Sequence, residues 1–126
     1  MIREAIRPIL ALAAVGAMTQ ATVNVDPRLQ GRLSGRALAA VTAIVDSAER
    51  AGLQTEPLID RALEAAVKVR NNDDLVIRHV SRFWTAMQQA RAALGPASTP
   101  AEVTAGANAL RAGVDVRELE RLRETR

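Results

Sequence analysis

The stretch NDDLVIRHVSRFWTAMQQARAAL, residues 72–94, decides the fold. Val76, Val80, Phe83, Met87, Ala90 and Leu94 recur at alternating spacings of four and three, the seam an amphipathic helix buries against its neighbours. The chain's one Phe and one Trp stand side by side within it. Adjacent residues on a helix diverge by about 100°, so Phe83 takes the centre of the seam and Trp84 joins Ile77 on a flanking line. An apolar face this wide needs packing partners, and the shorter amphipathic segments on either side supply them. Trp84 then has two readings: part of the core, or the anchor of an interaction surface rimmed by Arg78, Arg82 and Arg91.

On the N-terminal side, a helix is expected from Leu33 or Ser34 to Arg50, with Leu38, Val41, Ile44, Val45 and Ala48 inward and Arg36, Thr42, Asp46 and Glu49 outward. Gly52 ends it, where a positive φ costs glycine nothing. Thr55 is the expected N-cap of a second helix running to about Arg70, with Glu56 at the favourable end of the dipole and Pro57 in the first turn. Leu58, Ile59, Ala62, Leu63, Ala66 and Val67 form its buried side. Asn72 with Asp73 and Asp74 opens the long helix in the same manner. Beyond Leu94, the run Gly-Pro-Ala-Ser-Thr-Pro is a loop, and Thr99-Pro100-Ala101-Glu102 reads as a capping box with Pro at the first helical position. A fourth helix carries Val103, Ala107 and Leu110 and ends at Gly113. Asp115 caps a last one, from Val116 to about Glu124, with Leu119 and Leu122 facing in. The expected fold is all-α: a small bundle of αα-hairpins, about five helices within one domain over residues 33–126, with the long helix central.

The first 21 residues read as a cleavable secretory signal. Arg3 and Arg7 give a positive n-region, Pro8–Met18 is an uncharged apolar run, and Thr19-Gln20-Ala21 offers small residues at a cleavage site after Ala21. That run is far short of the ~20 residues a membrane-spanning helix needs, so no transmembrane segment is expected in the mature chain. The alternative is an N-terminal amphipathic helix that stays, since Ile2, Ile6, Ile9, Leu10 and Ala13 also keep helical spacing. Residues 22–32 mix β-branched residues with Pro27 and Gly31 and read as an irregular linker. The expected location is periplasmic or secreted. The chain has no Cys, which excludes an acylated lipobox and a disulfide framework.

Charge argues against a nucleic-acid partner. Seventeen basic residues face fourteen acidic ones, a net charge of only +3. The sequence pI of about 10.9 is high because so little titrates between the carboxylates and the arginines. Signs alternate at helical spacings, as in Asp46/Arg50, Glu64/Lys68 and Glu118/Arg121, the pattern of solvated faces.

Catalysis has little support. There is no Cys nucleophile and no Gly-rich phosphate loop, and His79 is the one imidazole, without companions at metal-ligand spacing. Asp73 and Asp74 are accounted for by a helix start. No catalytic residue, metal site or cofactor is expected. The sharpest alternative is a DNA-binding helix-turn-helix at 105–124 or 44–65, because Ala48, Gly52 and Leu58 keep the same spacing as Ala109, Gly113 and Leu119. Against it, the first copy has Arg61 where a buried residue is wanted and Pro57 within its second helix.

From Ala51 onward the sequence resembles a family of short exported, Ala- and Arg-rich helical proteins encoded in high-GC bacterial genomes. The residues carrying the likeness are Ala51-Gly52-Leu53, Glu56-Pro57-Leu58, Ala62-Leu63-Glu64, Lys68, Ala90-Arg91-Ala92-Ala93-Leu94-Gly95 and Leu110-Arg111-Ala112-Gly113-Val114. Two departures are the Asn71-Asn72-Asp73-Asp74 start of the long helix, which is Pro-rich in the family, and the Phe83-Trp84 pair. The resemblance implies export and an all-α fold and carries over no functional residue. The functional expectation is an exported, non-catalytic interaction or structural module whose partner is another protein or a second copy.

Overall fold

The computed structural model describes residues 25–70 and 72–125. Six helices and no strand are present among them: α1 (Pro27–Gln30), α2 (Gly35–Arg50), α3 (Glu56–Lys68), α4 (Asp73–Leu94), α5 (Pro100–Arg111) and α6 (Val116–Glu124). The chain is an all-α bundle with α4 at its centre, packed by α5, α3, α2 and α6. The signal-peptide reading of residues 1–21 lies outside the described residues.

The seam predicted for α4 is buried throughout: Val76, Val80, Phe83, Met87, Ala90 and Leu94, with Ala86 and Ala93 beside them. Ile77 and Trp84, the flanking line, are half-buried against the core. Helix ends follow local chemistry. The Leu75 amide donates to Asn72 Oδ1 at 3.1 Å, and the Arg117 amide to Asp115 Oδ1 at 2.9 Å. Thr99 and Glu102 form a reciprocal capping box, their backbone amides donating to each other's side chains at 2.7 and 3.1 Å. Gly52 and Gly113 adopt φ of +72° and +104°, the left-handed turns expected of them. All three sequence-predicted ion pairs form: Asp46–Arg50 at 2.9 Å, Glu64–Lys68 at 3.6 Å and Glu118–Arg121 at 3.0 Å.

Four expectations are corrected. Of the irregular linker read over residues 22–32, residues 26–32 belong to the fold: Asp26 caps the single turn α1, and Leu29 is buried in the core, as is Leu33 just beyond it. Arg28 holds this turn in place, its guanidinium donating to both Glu56 oxygens at 3.1 and 2.7 Å and to Asp26. That pairing pushes Glu56 and Asp26 below the usual carboxylate range, through hydrogen bonds from Arg28 in each case. Glu56 is thus spent on Arg28, while Thr55, at the N-cap position of α3, makes no capping bond with its side chain. The edges of two apolar stripes are also displaced: Thr42 is buried rather than outward, its Oγ1 without a hydrogen-bond partner, and Val67 is 55% exposed. Ala37 is buried beside Val41 and Ala48 on α2, and Ala65 beside Leu58, Ile59 and Ala62 on α3. Finally, Leu119 is buried, but Leu122 is 54% exposed.

Gly106 explains how closely α5 approaches α4. A Cβ there would lie 3.0 Å from Ala90 Cβ, 3.2 Å from Leu94 Cδ1 and 3.4 Å from Leu119 Cδ1, so three helices converge on a residue without a side chain. No helix of the described residues is long and apolar enough to cross a membrane.

Candidate functional site

The outer face of α4 carries Arg78, Ser81, Arg82, Thr85 and Gln89, which helical periodicity gathers into one polar stripe. Beside this stripe the C-terminal end of α5 brings Leu110 and Arg111. The result is a groove of about 330 Å³ with Ala86 and Leu110 at its apolar floor and three guanidinium groups around it. Among the described residues, Arg78, Arg82 and Arg111 form no ion pair and no hydrogen bond.

A second depression, about 200 Å³, lies on the other side of the same two arginines and is lined by Lys68, Val69, Leu75 and His79 among others. Glu64 is the acid at this side. Its Oε1 lies 3.6 Å from Lys68 Nζ and 3.5 Å from His79 Nε2. Its charge faces Lys68 and His79, and leaves the arginines facing the first groove uncompensated. His79 is a half-buried boundary residue. Among the described residues no group of three or more His, Cys, Asp or Glu is placed to hold a metal ion.

The four residues predicted to form one interaction surface are divided. Arg78 and Arg82 share the groove. Arg91 is drawn into structure, donating to the Ser98 carbonyl at 2.8 Å and Pro96 carbonyl at 3.4 Å, where it organises the loop between α4 and α5. Trp84 lies about 120° round the helix from Arg78 and is packed against the core. Sequence reasoning missed Ser81, Thr85, Gln89 and Arg111. The first three continue from Arg78 and Arg82 in steps of three and four residues and were legible as a stripe; Arg111 reaches the groove only through tertiary packing.

Both helix-turn-helix candidates depart from what that motif needs. In the first, Arg61 sits over the Phe83 ring, its Cζ 4.3 Å from the centroid, and donates to Asn108 Oδ1 at 3.1 Å. Its charge is used inside the bundle, tying α3 to α4 and α5. In the second, Arg121 pairs with Glu118, Arg123 lies over Gly95, and Leu122 faces solvent.

Comparison with known protein families, with curated proteins and with solved structures finds no match.

Proposed function

We propose that this chain is an exported, non-catalytic interaction module that captures an acidic segment of a partner protein in the groove between α4 and α5. The observation that carries this reading is the convergence of Arg78, Arg82 and Arg111 on one groove without a carboxylate to meet them. Guanidinium groups pair with carboxylates bidentately, while Ser81, Thr85 and Gln89 supply hydrogen bonds suited to a peptide backbone. Each solvent-exposed ion pair contributes roughly 0.2–1 kcal/mol, so three give a weak, transient and salt-sensitive association. Export rests on Arg3, Arg7, the apolar run Pro8–Met18 and Ala21.

A nucleic acid is less well served by this surface. Single strands need an aromatic platform beside the basic track, and here Phe83 is buried and Trp84 lies round the helix from the groove. On α6 the arginines alternate with Glu118, Glu120 and Glu124, which repel phosphate.

Fluorescence anisotropy with a labelled oligo-glutamate peptide tests the site. Arg78→Ser/Arg82→Ser should abolish binding, whereas Arg70→Ser/Arg117→Ser, which removes the same charge elsewhere, should leave it. Equal losses in the two variants would reduce the effect to net charge and overturn the site. Mass spectrometry of the N-terminus on protein from the native host tests export; only uncleaved chain in the cytoplasm would refute it.

A further inference from the structure

The second depression shares Arg78 and Arg82 with the cationic groove, so a charge placed in it acts on the same two guanidinium groups. At its edge one carboxylate stands between two bases. Glu64 Oε1 is 3.6 Å from Lys68 Nζ and 3.5 Å from His79 Nε2, both longer than the ~2.7–2.9 Å of a charge-assisted hydrogen bond. His79 Nε2 is shut off from solvent and has no hydrogen-bond partner among the described residues. A neutral imidazole gains little from this position. A protonated one would have a carboxylate in front of a donor that water cannot reach, where such a pair is strongest. Lys68 competes poorly for the same oxygen, because its side chain is 68% exposed and an exposed pair contributes little.

We infer that His79 regulates the groove: its protonation draws Glu64 away from Lys68, which then joins Arg78 and Arg82 and strengthens the capture of an acidic segment. This rests on the acidic-segment reading of the groove. The charged groups around His79 are Glu64 and Lys68 from α3 and, on its own helix, Arg78 and Arg82. Histidine is the side chain whose charge changes between about pH 5 and 8, so it sets the direction. While His79 is neutral, Glu64 offsets Lys68, and an anion on this side meets the two arginines alone. Once His79 is protonated, Glu64 is held at Nε2. The Lys68 ammonium, on its flexible four-carbon stem, is then free to cross the depression to an anion lying on Arg78 and Arg82. One exposed ion pair gained in this way raises affinity about two- to fivefold.

Fluorescence anisotropy with labelled oligo-glutamate tests this at about pH 7.5 and about pH 5.5. Salt of about 0.1 M largely screens charges more than about 10 Å apart, which leaves the direct Lys68 contact. The peptide stays largely ionised at both values, and any proton it takes up weakens binding, so tighter binding in acid arises in the protein. The wild type should bind about two- to fivefold more tightly at the lower pH. His79→Gln and Lys68→Met should each lose that increase. Glu64→Gln, which frees Lys68 without a proton, should bind at the higher pH as tightly as the wild type does at the lower. Circular dichroism melts confirm that each variant folds. Equal wild-type affinity at the two values overturns the inference and leaves the groove reading standing. So does an increase that His79→Gln or Lys68→Met retains, or a Glu64→Gln variant no tighter than the wild type at the higher pH. A peptide that binds at neither pH overturns both.

Discussion

Phe83→Ala is the sharpest test of how this bundle is held together. Phe83 is 1% exposed and is the largest fully buried side chain among the described residues. Its removal deletes a buried aromatic and leaves a cavity at the convergence of α3, α4 and α5, a change that costs about 3–5 kcal/mol. The guanidinium of Arg61, 4.3 Å above the ring, also loses its aromatic face, a contact worth about 0.5–2 kcal/mol. Arg61 cannot move in to fill the space without stripping its charge of water, so little of the loss is recovered. At about 4–8 °C per kcal/mol for a domain near this size, the melting temperature should fall by at least about 12 °C.

Trp84→Ala is the control, since Trp84 is adjacent in sequence yet half-buried, and it should cost about half as much. Urea unfolding followed by circular dichroism suits both variants, because the indole that fluorescence would follow is absent from one of them. Should Phe83→Ala prove too unstable to fold, Phe83→Leu keeps the position apolar and should cost about 1–2 kcal/mol. A Phe83→Ala loss under about 1 kcal/mol, or a Trp84→Ala loss as large as that of Phe83→Ala, would refute the assignment of Phe83 to the centre of the seam.

Two glycines should fail for different reasons. Gly113→Val, at φ +104° with nothing within 4 Å of a new Cβ, suffers only backbone strain and should lose about 1 kcal/mol or more by urea titration. Gly106→Ala instead pushes a methyl group to 3.0 Å from Ala90 Cβ, and overpacking of this kind costs about 1–3 kcal/mol. Thr42→Val should stabilise the fold by about 1 kcal/mol in the same assay, because it replaces a buried hydroxyl that has no partner with a methyl group. Acid should loosen α1 first. Asp26 and Glu56 are held below the usual carboxylate range by hydrogen bonds from Arg28, so their contribution is complete above that range and fades as pH falls through it into their lowered values. The stability of Arg28→Met should therefore fall less than that of the wild type between neutral pH and pH about 3, and an identical fall would show that the Arg28 pairing contributes nothing.

Local chemistry was legible in the sequence wherever it acts within one turn. Asn72, Thr99 with Glu102, and Asp115 cap their helices because the bonds involved span two or three residues. The α4 seam was legible for a related reason, since a period sustained over many residues averages out individual exceptions. The edges of the shorter stripes were not. Thr42, Val67 and Leu122 each sit at a margin, where the neighbouring helix, and not the period, decides which way is inward. Helix α1 escaped notice because four residues contain no period; Leu29 is buried through Arg28 reaching Glu56, twenty-eight positions on. The candidate site was half legible. Arg78 and Arg82 were singled out, but only as the rim, with Arg91, of a surface centred on Trp84, and that grouping treated nearness along the chain as nearness in space.

The arginines separate into two populations, and the separation bears on function. Arg28, Arg36, Arg50, Arg61, Arg91 and Arg121 each hold something together: a carboxylate, a loop carbonyl or the face of an aromatic ring. Arg28, Arg36 and Arg61 supply between helices the specific contacts that an alanine-rich core lacks, since alanine buries little area and defines relative orientation poorly. Arg78, Arg82 and Arg111, like Arg32, Arg70, Arg117 and Arg123, have no such employment among the described residues, and these three converge on one groove from two helices. Like charges brought together repel, at a cost to the fold that no internal contact offsets. Bound carboxylates would reverse the sign of that interaction. If the three arginines are free because a ligand meets them, Arg78→Ser should raise the melting temperature of the unliganded protein slightly while weakening peptide binding. A variant that loses both stability and binding would instead mark Arg78 as one more structural arginine.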